Sequence, residues 1–554
     1  MSNGGQVHDT QVIIVGGGPA GLAMAIELGS RGINCRLIER NDRSGVAPRA
    51  KTTNIRTREH LRRWGIADRL AEASPFGVDY PGNILFVTKL GGKLVTRFEH
   101  GFGTNPARDQ RYSEHAQWIP QYKLEGVLLE HALTLPSVKI DFGTELHGIA
   151  QFDDGVVACV RDVVSGAGTT ISADYLVGAD GSGSTTRKLI GVKMIGTHGL
   201  SRNYNTIFEA PGLAEAHDHG PAIQVWQLDR DMPSLIGPMD VDDRWFFVPT
   251  GLEAGVELAE EDMPDIIRRS TGIDLPYRVL SSEVWVASSL LAERYSKGRV
   301  FLIGDACHLH PPFGGYGMNM GIADSVDLGW KLTAVLNGWG ADGLLETYES
   351  ERRPVHVGVT KQSESNHKLA PNQLARPGLD EASPEGEAVR REVAELIRTA
   401  KHSEFYSLGI VLGYTYFGSP IILGEDGSPD IWEPDVEYVP SAVPGCLAPH
   451  RWLEDGSSLY DHFGPDFTML VLAPSGRGAA EEAALQALTL GIPLRVVEVF
   501  DRAVTELYEA PLALIRPDQH VAWRGARVPP NLLAKVTGRL IHEADASLPH
   551  VENA

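Results

Sequence analysis

The sequence is poor in cysteine and in long apolar runs. Only Cys35, Cys159, Cys307 and Cys446 occur in 554 residues, and no two of them form a Cys-x-x-Cys motif. This spacing disfavours a disulfide framework, a structural metal site and a dithiol redox centre. No apolar stretch approaches the roughly 18 residues of a membrane span, and the N-terminus is polar rather than signal-like. We therefore expect a protein of a reducing, cytoplasmic compartment with no membrane span.

An excess of basic residues is also missing. Lys and Arg number 50 against 72 Asp and Glu, for a net charge of −22. Such a surface repels phosphate backbones, which excludes nucleic acid as an expected partner. The hydrophobic content of 42% and charged content of 22% are typical of a globular protein. The length allows roughly two to four domains.

A glycine-rich loop follows the first apolar run of the chain. The run Gln11–Val15 precedes GGGPAG at 16–21, and a helical pattern and a second apolar strand at 34–40 come next. In a dinucleotide-binding unit, Gly16 permits the tight turn, Gly18 admits a pyrophosphate, and Gly21 lets the helix pack closely on the strand. The helix start supplies free N–H groups for the phosphates.

The end of the second strand narrows the choice of dinucleotide ligand. Glu39 stands 18 positions after Gly21, where a carboxylate accepts hydrogen bonds from a ribose. The same carboxylate repels a 2′-phosphate, which favours FAD or NAD over NADP in this fold. A strand, turn and helix without a ligand is the alternative interpretation.

A second strand-end motif, far along the chain, favours FAD. Val300–Ile303 predicts a buried strand, and Gly304 and Asp305 follow at its carboxyl end, where α/β folds bind ligands. Prolines and glycines at 311–317 then precede an apolar-periodic helix at about 318–336. The acid suits sugar hydroxyls, and a helix start suits negative charge on a reduced flavin. An NAD dehydrogenase has no need of this second site.

A third motif lies between these two. Tyr175–Gly178 predicts a strand that leads into Asp180, Gly181 and, further on, Arg187. With all three motifs in this order, the chain resembles the class A FAD-dependent aromatic hydroxylases. It is most similar to the phenol and 2-hydroxybiphenyl hydroxylase branch of the p-hydroxybenzoate hydroxylase-like monooxygenases. The resemblance is firm over about 8–360 and looser beyond.

The resemblance implies a fold and its boundaries. The class is α/β, with a discontinuous Rossmann-like FAD-binding domain at 8–190 and 293–365 and an α+β substrate-binding domain at 191–292. A helical or linker segment follows at 366–439. A thioredoxin-like C-terminal domain at 440–554 has an expected role in packing and in a homodimer contact, since it lacks the redox cysteine pair.

The resemblance also implies non-covalent FAD binding by a set of residues. Arg49 is expected at the pyrophosphate and to move with the flavin, and Gln121 is expected near the ribityl chain. The side chain of Asp180 has an alternative role as a cap of the following helix. The full expected set is Gly16, Gly18, Pro19, Ala20, Gly21, Glu39, Arg40, Arg49, Gln121, Leu146, Asp180, Gly304, Asp305, Pro312, Gly315, Gly317, Met318 and Asn319.

The implied chemistry is the hydroxylation of a phenolic substrate. A nicotinamide cofactor reduces FAD, O₂ adds to give a flavin hydroperoxide, and that species transfers oxygen to the ring. A second complete Gly-x-Gly-x-x-Gly unit is missing, which is consistent with a family that binds its nicotinamide cofactor transiently without a dedicated domain. The resemblance implies NADPH as the reductant, and NADH stays open. The family suggests aromatic hydrocarbon catabolism, and a biosynthetic role stays open.

Four residues are candidates for substrate contact. Lys51 could stabilise a phenolate or be a surface lysine. Tyr204 and Trp226, in predicted strands, could line an aromatic pocket or be plain core. Tyr316 could place a hydroxyl near the flavin, at a position where relatives carry other residues. Cys307 lies beside the proline- and glycine-rich loop at 311–317, called the flavin loop below. It is interpreted as an inert thiol in preference to a reactive one.

Two other functions are consistent with a flavin fold. A flavin-dependent halogenase would carry a Trp-x-Trp-x-Ile-Pro signature, which is missing from this sequence. A non-catalytic flavin-binding or sensory protein is disfavoured because the cofactor motifs are complete. The monooxygenase is therefore the leading hypothesis.

Overall fold

The structure is a computed structural model that describes residues 8–42, 50–250, 252, 256–367, 373–427, 429 and 431–541. Arg49 lies outside the described residues, so its predicted contact with the pyrophosphate stays a prediction.

The strands are, in chain order, β1 (Val12–Val15), β2 (Cys35–Glu39), β3 (Thr52–Thr53), β4 (Ile84–Val87), β5 (Leu94–Phe98), β6 (Gln117–Trp118), β7 (Val138–Phe142), β8 (Thr144–Gln151), β9 (Val156–Asp162), β10 (Gly168–Ala173), β11 (Tyr175–Gly178), β12 (Met194–Glu209), β13 (Gln224–Gln227), β14 (Ser234–Asp240), β15 (Arg244–Pro249), β16 (Arg278–Ala292), β17 (Ser296–Lys297), β18 (Val300–Leu302), β19 (His308–Leu309), β20 (Phe467–Val471), β21 (Leu494–Glu498), β22 (Leu512–Ile515) and β23 (Val521–Gly525).

The α-helices are α1 (Pro19–Gly29), α2 (Ile55–Arg63), α3 (Ala67–Glu72), α4 (Gln121–Ala132), α5 (Thr185–Leu189), α6 (Met263–Thr271), α7 (Gly317–Leu336), α8 (Gly343–His367), α9 (Pro384–Phe405), α10 (Leu408–Leu412), α11 (Arg477–Leu490), α12 (Arg502–Tyr508) and α13 (Leu532–Val536).

The cofactor unit is built on a six-stranded sheet in the order β17-β18-β11-β1-β2-β7. All neighbours pair in parallel except β17 with β18. Strands buried on both faces read as apolar runs, which is why Val12–Val15 is apolar throughout. Helix α1 packs between this sheet and α7. The predicted Rossmann-like class is confirmed, and the motifs at 16–21, 180–187 and 304–305 all follow strands at one edge of the sheet.

The second sheet has eight strands in the order β19-β16-β12-β15-β14-β13-β4-β5. Its members β4 and β5 come from 84–98, because β4 pairs in parallel with β13. The predicted boundary of 8–190 for one continuous part of the FAD-binding domain therefore needs correction. These two strands belong to the sheet of the substrate unit, and only a long-range pairing shows it.

The two faces of this sheet contact different helices. One face carries Tyr204 and Phe247 and packs on α6. The other face carries Trp226 and Phe246 and packs on α9. Neighbouring residues Phe246 and Phe247 fall on opposite faces because side chains alternate along a strand. The second face also meets the flavin loop through Phe313.

The C-terminal unit has the predicted order of strand, helix, strand and hairpin. Strands β20 and β21 pair in parallel across α11, and β22 and β23 add in antiparallel fashion. Before this unit, α9 and α10 lie in the segment 366–439, which was expected to be helical or a linker.

Candidate flavin and substrate site

The first glycine loop has the backbone geometry that its predicted roles require. Gly16 has φ of 107°, and a Cβ on it would lie 2.4 Å from the Ala179 carbonyl oxygen. A Cβ on Gly21 would lie 1.9 Å from the Gly16 oxygen, so the helix approaches the strand too closely for any side chain. A Cβ on Gly18 would meet nothing within 4 Å. The loop is therefore tight on its inner side and open beside Gly18, where a pyrophosphate fits.

Glu39 is held against this loop at the end of β2. Its Oε2 accepts a hydrogen bond from the Gly17 amide at 2.7 Å, and its Oε1 accepts one from the Asn41 amide at 2.9 Å. The neighbouring Arg40 is exposed. Glu39 thus lies where the dinucleotide motif places a ribose-binding carboxylate.

Asp180 caps a helix, which is the alternative role that the sequence left open. Its Oδ2 accepts hydrogen bonds from the Thr186 amide at 2.8 Å and from the Thr186 hydroxyl at 3.0 Å. The Ser184 hydroxyl donates to Oδ1. Arg187, on the capped helix α5, donates to the Ala306 carbonyl at 2.8 Å. The second motif therefore supports the loop of the third one.

The motif at Gly304 meets the first loop directly. Gly304 has φ of 59°, and a Cβ there would lie 3.2 Å from the Cβ of Ala20. The adjacent Asp305 is exposed at the carboxyl end of β18. Two loops separated by nearly the whole FAD-binding unit in sequence thus form one cleft, and Asp305 is accessible to a sugar hydroxyl.

A buried charge cluster, which the sequence reasoning missed, supports Gly304. The Asp324 carboxylate accepts from the Gly304 amide at 3.0 Å and from Arg352 Nε at 2.8 Å. His308 and His356 lie 2.9 and 3.0 Å from its oxygens. Burial alone would raise the pKa of Asp324, but His356, Arg352 and His308 hold it well below its usual range. A buried acid in the apolar-periodic helix α7 was the available signal.

The same cluster bears on metal binding. Donor atoms of Cys307, His308 and Asp324 lie within 4.8 Å of one another. Because Asp324 already receives the donors described above, the carboxylate is occupied by protein groups, and the absence of a metal stays a prediction. Burial raises the pKa of the Cys307 thiol well above its usual range, which favours the inert interpretation of this cysteine.

The start of α7 is tied to β3 by one buried amide. Asn319 Nδ2 donates to the Thr52 carbonyl at 3.0 Å and to the Gly315 carbonyl at 2.8 Å, and its Oδ1 accepts from the Asn54 amide at 3.0 Å. A Cβ on Gly317 would meet nothing within 4 Å. The start of α7 therefore has open space beside Gly317, as the predicted contact with the pyrimidine edge of a flavin requires.

Gln121 and Leu146 have different surroundings. Gln121 begins α4, and its Oε1 accepts from the Ala50 amide at 3.1 Å, which anchors the segment after Arg49. Leu146 on β8 is a core residue, 4% exposed, among the apolar side chains of the FAD-binding unit. The Leu146 side chain therefore packs in the core, and its contact with the cofactor stays a prediction. The exposed Pro312 and half-buried Met318 lie on the flavin loop and the α7 start.

These features together fit FAD. The cleft has an open phosphate position, a ribose-side carboxylate, an exposed acid at the third motif and two helix starts with open space beside them.

Lys51 connects the cleft to the aromatic face of the second sheet. Its neighbour Thr52 bonds to Asn319, while its own Nζ lies 4.3 Å from the centre of the Phe246 ring. Burial lowers the pKa of Lys51 to about 8. Lys51 is therefore a half-buried cation between the flavin loop and the sheet, and the surface alternative does not hold.

Of the aromatic candidates, only Trp226 lies on that face. It stacks on Phe86 with ring centres 6.0 Å apart. Tyr204 lies on the opposite face, where its hydroxyl accepts from the Leu258 amide at 3.0 Å. Tyr204 is therefore a core residue, the alternative that the sequence left open, and it does not share a pocket with Trp226, because strand residues at this offset and register point to opposite faces.

Tyr316 is a core residue of the junction with the C-terminal unit. Its side chain is 2% exposed, and its hydroxyl donates to the Ser407 Oγ at 2.7 Å. Burial raises the pKa of this phenol. The hydroxyl is committed to Ser407, which corrects the expectation that it faces a flavin ring.

No helix within the described ranges combines the length and apolarity of a membrane span.

Comparisons with known proteins agree with the geometry of the cleft. Residues 9–363 match the family described as FAD binding domain, and residues 441–544 match the family described as aromatic-ring hydroxylase, C-terminal.

Individual relatives extend over nearly the whole chain. The chain is 32% identical to a putative polyketide hydroxylase of Streptomyces halstedii, over 94% of each protein. It is also 32% identical to phenol 2-monooxygenase of Pseudomonas sp. (strain EST1001), over 94% of this chain and 90% of that protein. The structure of the rebeccamycin biosynthetic enzyme RebC with reduced flavin superposes with a TM-score of 0.87 at 33% identity, over 96% of this chain and 99% of RebC.

These matches confirm the leading hypothesis over the halogenase and the sensor. The relatives are a hydroxylase and a monooxygenase, and the family match spans all three flavin motifs. The cofactor is FAD, with NAD(P)H and O₂ as co-substrates. The chain belongs to the FAD-dependent aromatic-ring hydroxylases, in the phenol hydroxylase branch.

Proposed function

We propose that Lys51 and the aromatic face of the second sheet bind the phenolic substrate opposite the flavin. One observation carries this proposal. The backbone of β3 bonds to the start of α7 through Asn319, while the Lys51 side chain reaches Phe246 on the sheet. A ring placed between these elements would lie beside both the cofactor cleft and a cation.

The role proposed for Lys51 is electrostatic. Bound FAD, with NAD(P)H and O₂, supplies the electrophilic oxygen for the reaction. The ammonium of Lys51 favours the phenolate over the neutral phenol, because an opposite charge nearby stabilises the charged form. A phenolate is the more electron-rich ring and accepts an electrophilic oxygen more readily. The aromatic side chains Trp118 and Phe246 exclude water and bind the ring by apolar contact.

The FAD contacts are proposed on the same cleft geometry. The loop at 16–21 would hold the pyrophosphate, Glu39 a ribose, Asp305 the ribityl chain, and the backbone at 317–319 the pyrimidine edge. The open space beside Gly18 and Gly317 supports these assignments.

Rapid mixing tests the role of Lys51. Lys51→Met keeps the length of the apolar stem and removes the charge. We expect flavin reduction to be largely retained, while hydroxylated product per NADPH falls and peroxide per NADPH rises. Lys139→Met, at a lysine 64% exposed on β7, is the matched control and should leave all three quantities unchanged. Wild-type product yield in Lys51→Met would remove this residue from the mechanism.

We also propose a cytoplasmic location and a homodimer. All four cysteines are unpaired, which supports a reducing cytoplasmic location. A homodimer through the C-terminal unit is supported by its exposed apolar side chains Leu485, Leu488, Val496 and Phe500. Light scattering on the holoenzyme tests it, and Leu488→Lys should shift a dimer toward monomer.

A further inference from the structure

A buried ion pair lies on the same sheet face as Lys51. Lys401 and Glu404, both on α9, have side chains only 1% and 3% exposed, and Nζ lies 2.8 Å from Oε2. Lys401 Nζ also lies 5.5 Å from the ring centre of Phe313 and 5.9 Å from that of Trp226. The pair is therefore located where the flavin loop, the second sheet and α9 meet.

Stability does not explain this pair. Desolvation of two buried charges offsets most of their attraction, and apolar residues of similar volume commonly serve a core equally well. One side of the pair is aromatic and apolar, with Phe405 of the same helix packed on Phe86 and Phe98. A charged pair within such a face indicates that a polar group is recognised there.

The neighbouring Trp226 indole has a hydrogen-bond donor that the described residues leave unpaired. Trp226 is 3% exposed, yet its Nε1–H has no hydrogen-bond partner among the described residues. Lys401 Nζ donates to the Asn366 carbonyl at 2.9 Å and to Glu404, and an ammonium has three donors. Leaving a buried donor unpaired is costly. An acceptor oxygen of a ligand would satisfy both groups.

The positions of the two lysines limit the size of that ligand. Lys51 lies over Phe246 on β15 and Lys401 over Trp226 on β13, with β14 between these strands. Two strand spacings separate the strands that carry the Phe246 and Trp226 rings by roughly 10 Å. A single phenol ring is too short to contact both ends, whereas fused rings with an oxygen at the far edge can span the distance.

We infer that Lys401 and the Trp226 Nε1–H bind an acceptor oxygen, a carbonyl or a carboxylate, on a ring distal to the one that is hydroxylated. The substrate is accordingly a multi-ring phenol. This inference rests on the proposed placement of the reacting ring beside Lys51. Glu404 acts as a positioning residue that orients the Lys401 ammonium.

Two probes test the inference on the holoenzyme, with dissociation constants from flavin absorbance and kcat and KM from NAD(P)H oxidation. The probes are 1-hydroxyanthraquinone, which has a distal carbonyl, and phenol, which has none. Lys401→Met should weaken binding of the anthraquinone about ten- to a hundredfold and leave phenol unchanged. Trp226→Phe replaces the indole with a phenyl ring and removes the N–H donor. It should weaken binding of the anthraquinone only, by a smaller factor than Lys401→Met.

Controls separate recognition from folding. Arg391→Met removes an exposed ion pair with Glu387 on the same helix and should change neither ligand. The double variant Lys401→Met with Glu404→Gln leaves no buried charge unpaired, and it should show the same selective loss. If Lys401→Met weakens the binding of both probes equally, or of neither, the inference is overturned. The proposed function still stands in that case, provided that the wild type turns over phenol. Failure of both probes to stimulate NAD(P)H oxidation in the wild type would instead overturn the proposed function.

Discussion

Replacing Arg516 with Met is expected to destabilise the joint between the C-terminal unit and the FAD-binding unit. Arg516 is fully buried and makes a bidentate contact with Glu351 on α8, at 2.6 and 2.8 Å. It also bonds to Asp518 at 2.6 Å and to Asp327 on α7 at 3.1 Å. One guanidinium therefore joins two helices of the first unit to the hairpin of the last.

The magnitude follows from what the substitution leaves behind. Burial raises the pKa of Asp327, whereas Arg516 and Lys331 hold the pKa of Glu351 below its usual range against its burial. Without Arg516, Lys331 is left between Asp327 and Glu351, at 2.8 and 2.6 Å, and the buried Asp518 loses its guanidinium partner. Breaking a buried pair in this way costs about 3–5 kcal/mol.

A matched pair on the surface provides the control. Arg477 makes a bidentate contact with Glu498 at 2.6 and 2.8 Å in the same unit, but the two side chains are 52% and 45% exposed. Arg477→Met should leave the free energy of unfolding close to the wild-type value, because exposed ion pairs contribute little to stability. Urea unfolding of the holoenzyme, followed by tryptophan fluorescence and by flavin release, measures both variants. A loss below about 1 kcal/mol in Arg516→Met would refute the assignment of this cluster as the joint.

Three further predictions concern the cofactor and the substrate. Gly18→Ala should fold but lose FAD on dialysis, because its methyl group occupies the open phosphate position; Gly126→Ala, with equally open space on α4, should keep FAD. Asp305→Ala should weaken FAD about ten- to a hundredfold by loss of charge-assisted hydrogen bonds, measured by flavin fluorescence, and acid precipitation should release intact FAD from the wild type. Product per NADPH should fall as pH rises through about 8, because Lys51 is charged below its pKa and neutral above it, and Lys51→Met should abolish this step. A pH profile that is the same in both proteins would contradict the role of Lys51.

Local pattern determined most of the cofactor unit. The turn at Gly16, the close approach at Gly21 and the helix after Gly317 depend on a few consecutive residues, and the sequence predicts each of them. The strand, helix, strand and hairpin of the C-terminal unit are predicted for the same reason. A run of apolar residues with the correct period specifies an element without reference to the rest of the chain.

Tertiary structure alone decided which side chains meet. Period-two alternation separates Phe246 from Phe247, but it does not tell which face receives the flavin loop, and the sequence therefore left the role of Tyr204 open between pocket and core. Strands β4 and β5 join the second sheet through a pairing with β13 more than a hundred residues away. The ion pair of Lys401 and Glu404 reads in sequence as an ordinary solvated helix face. Only the packing of α9 on the sheet buries it, because burial depends on what covers a residue and not on its neighbours in the chain.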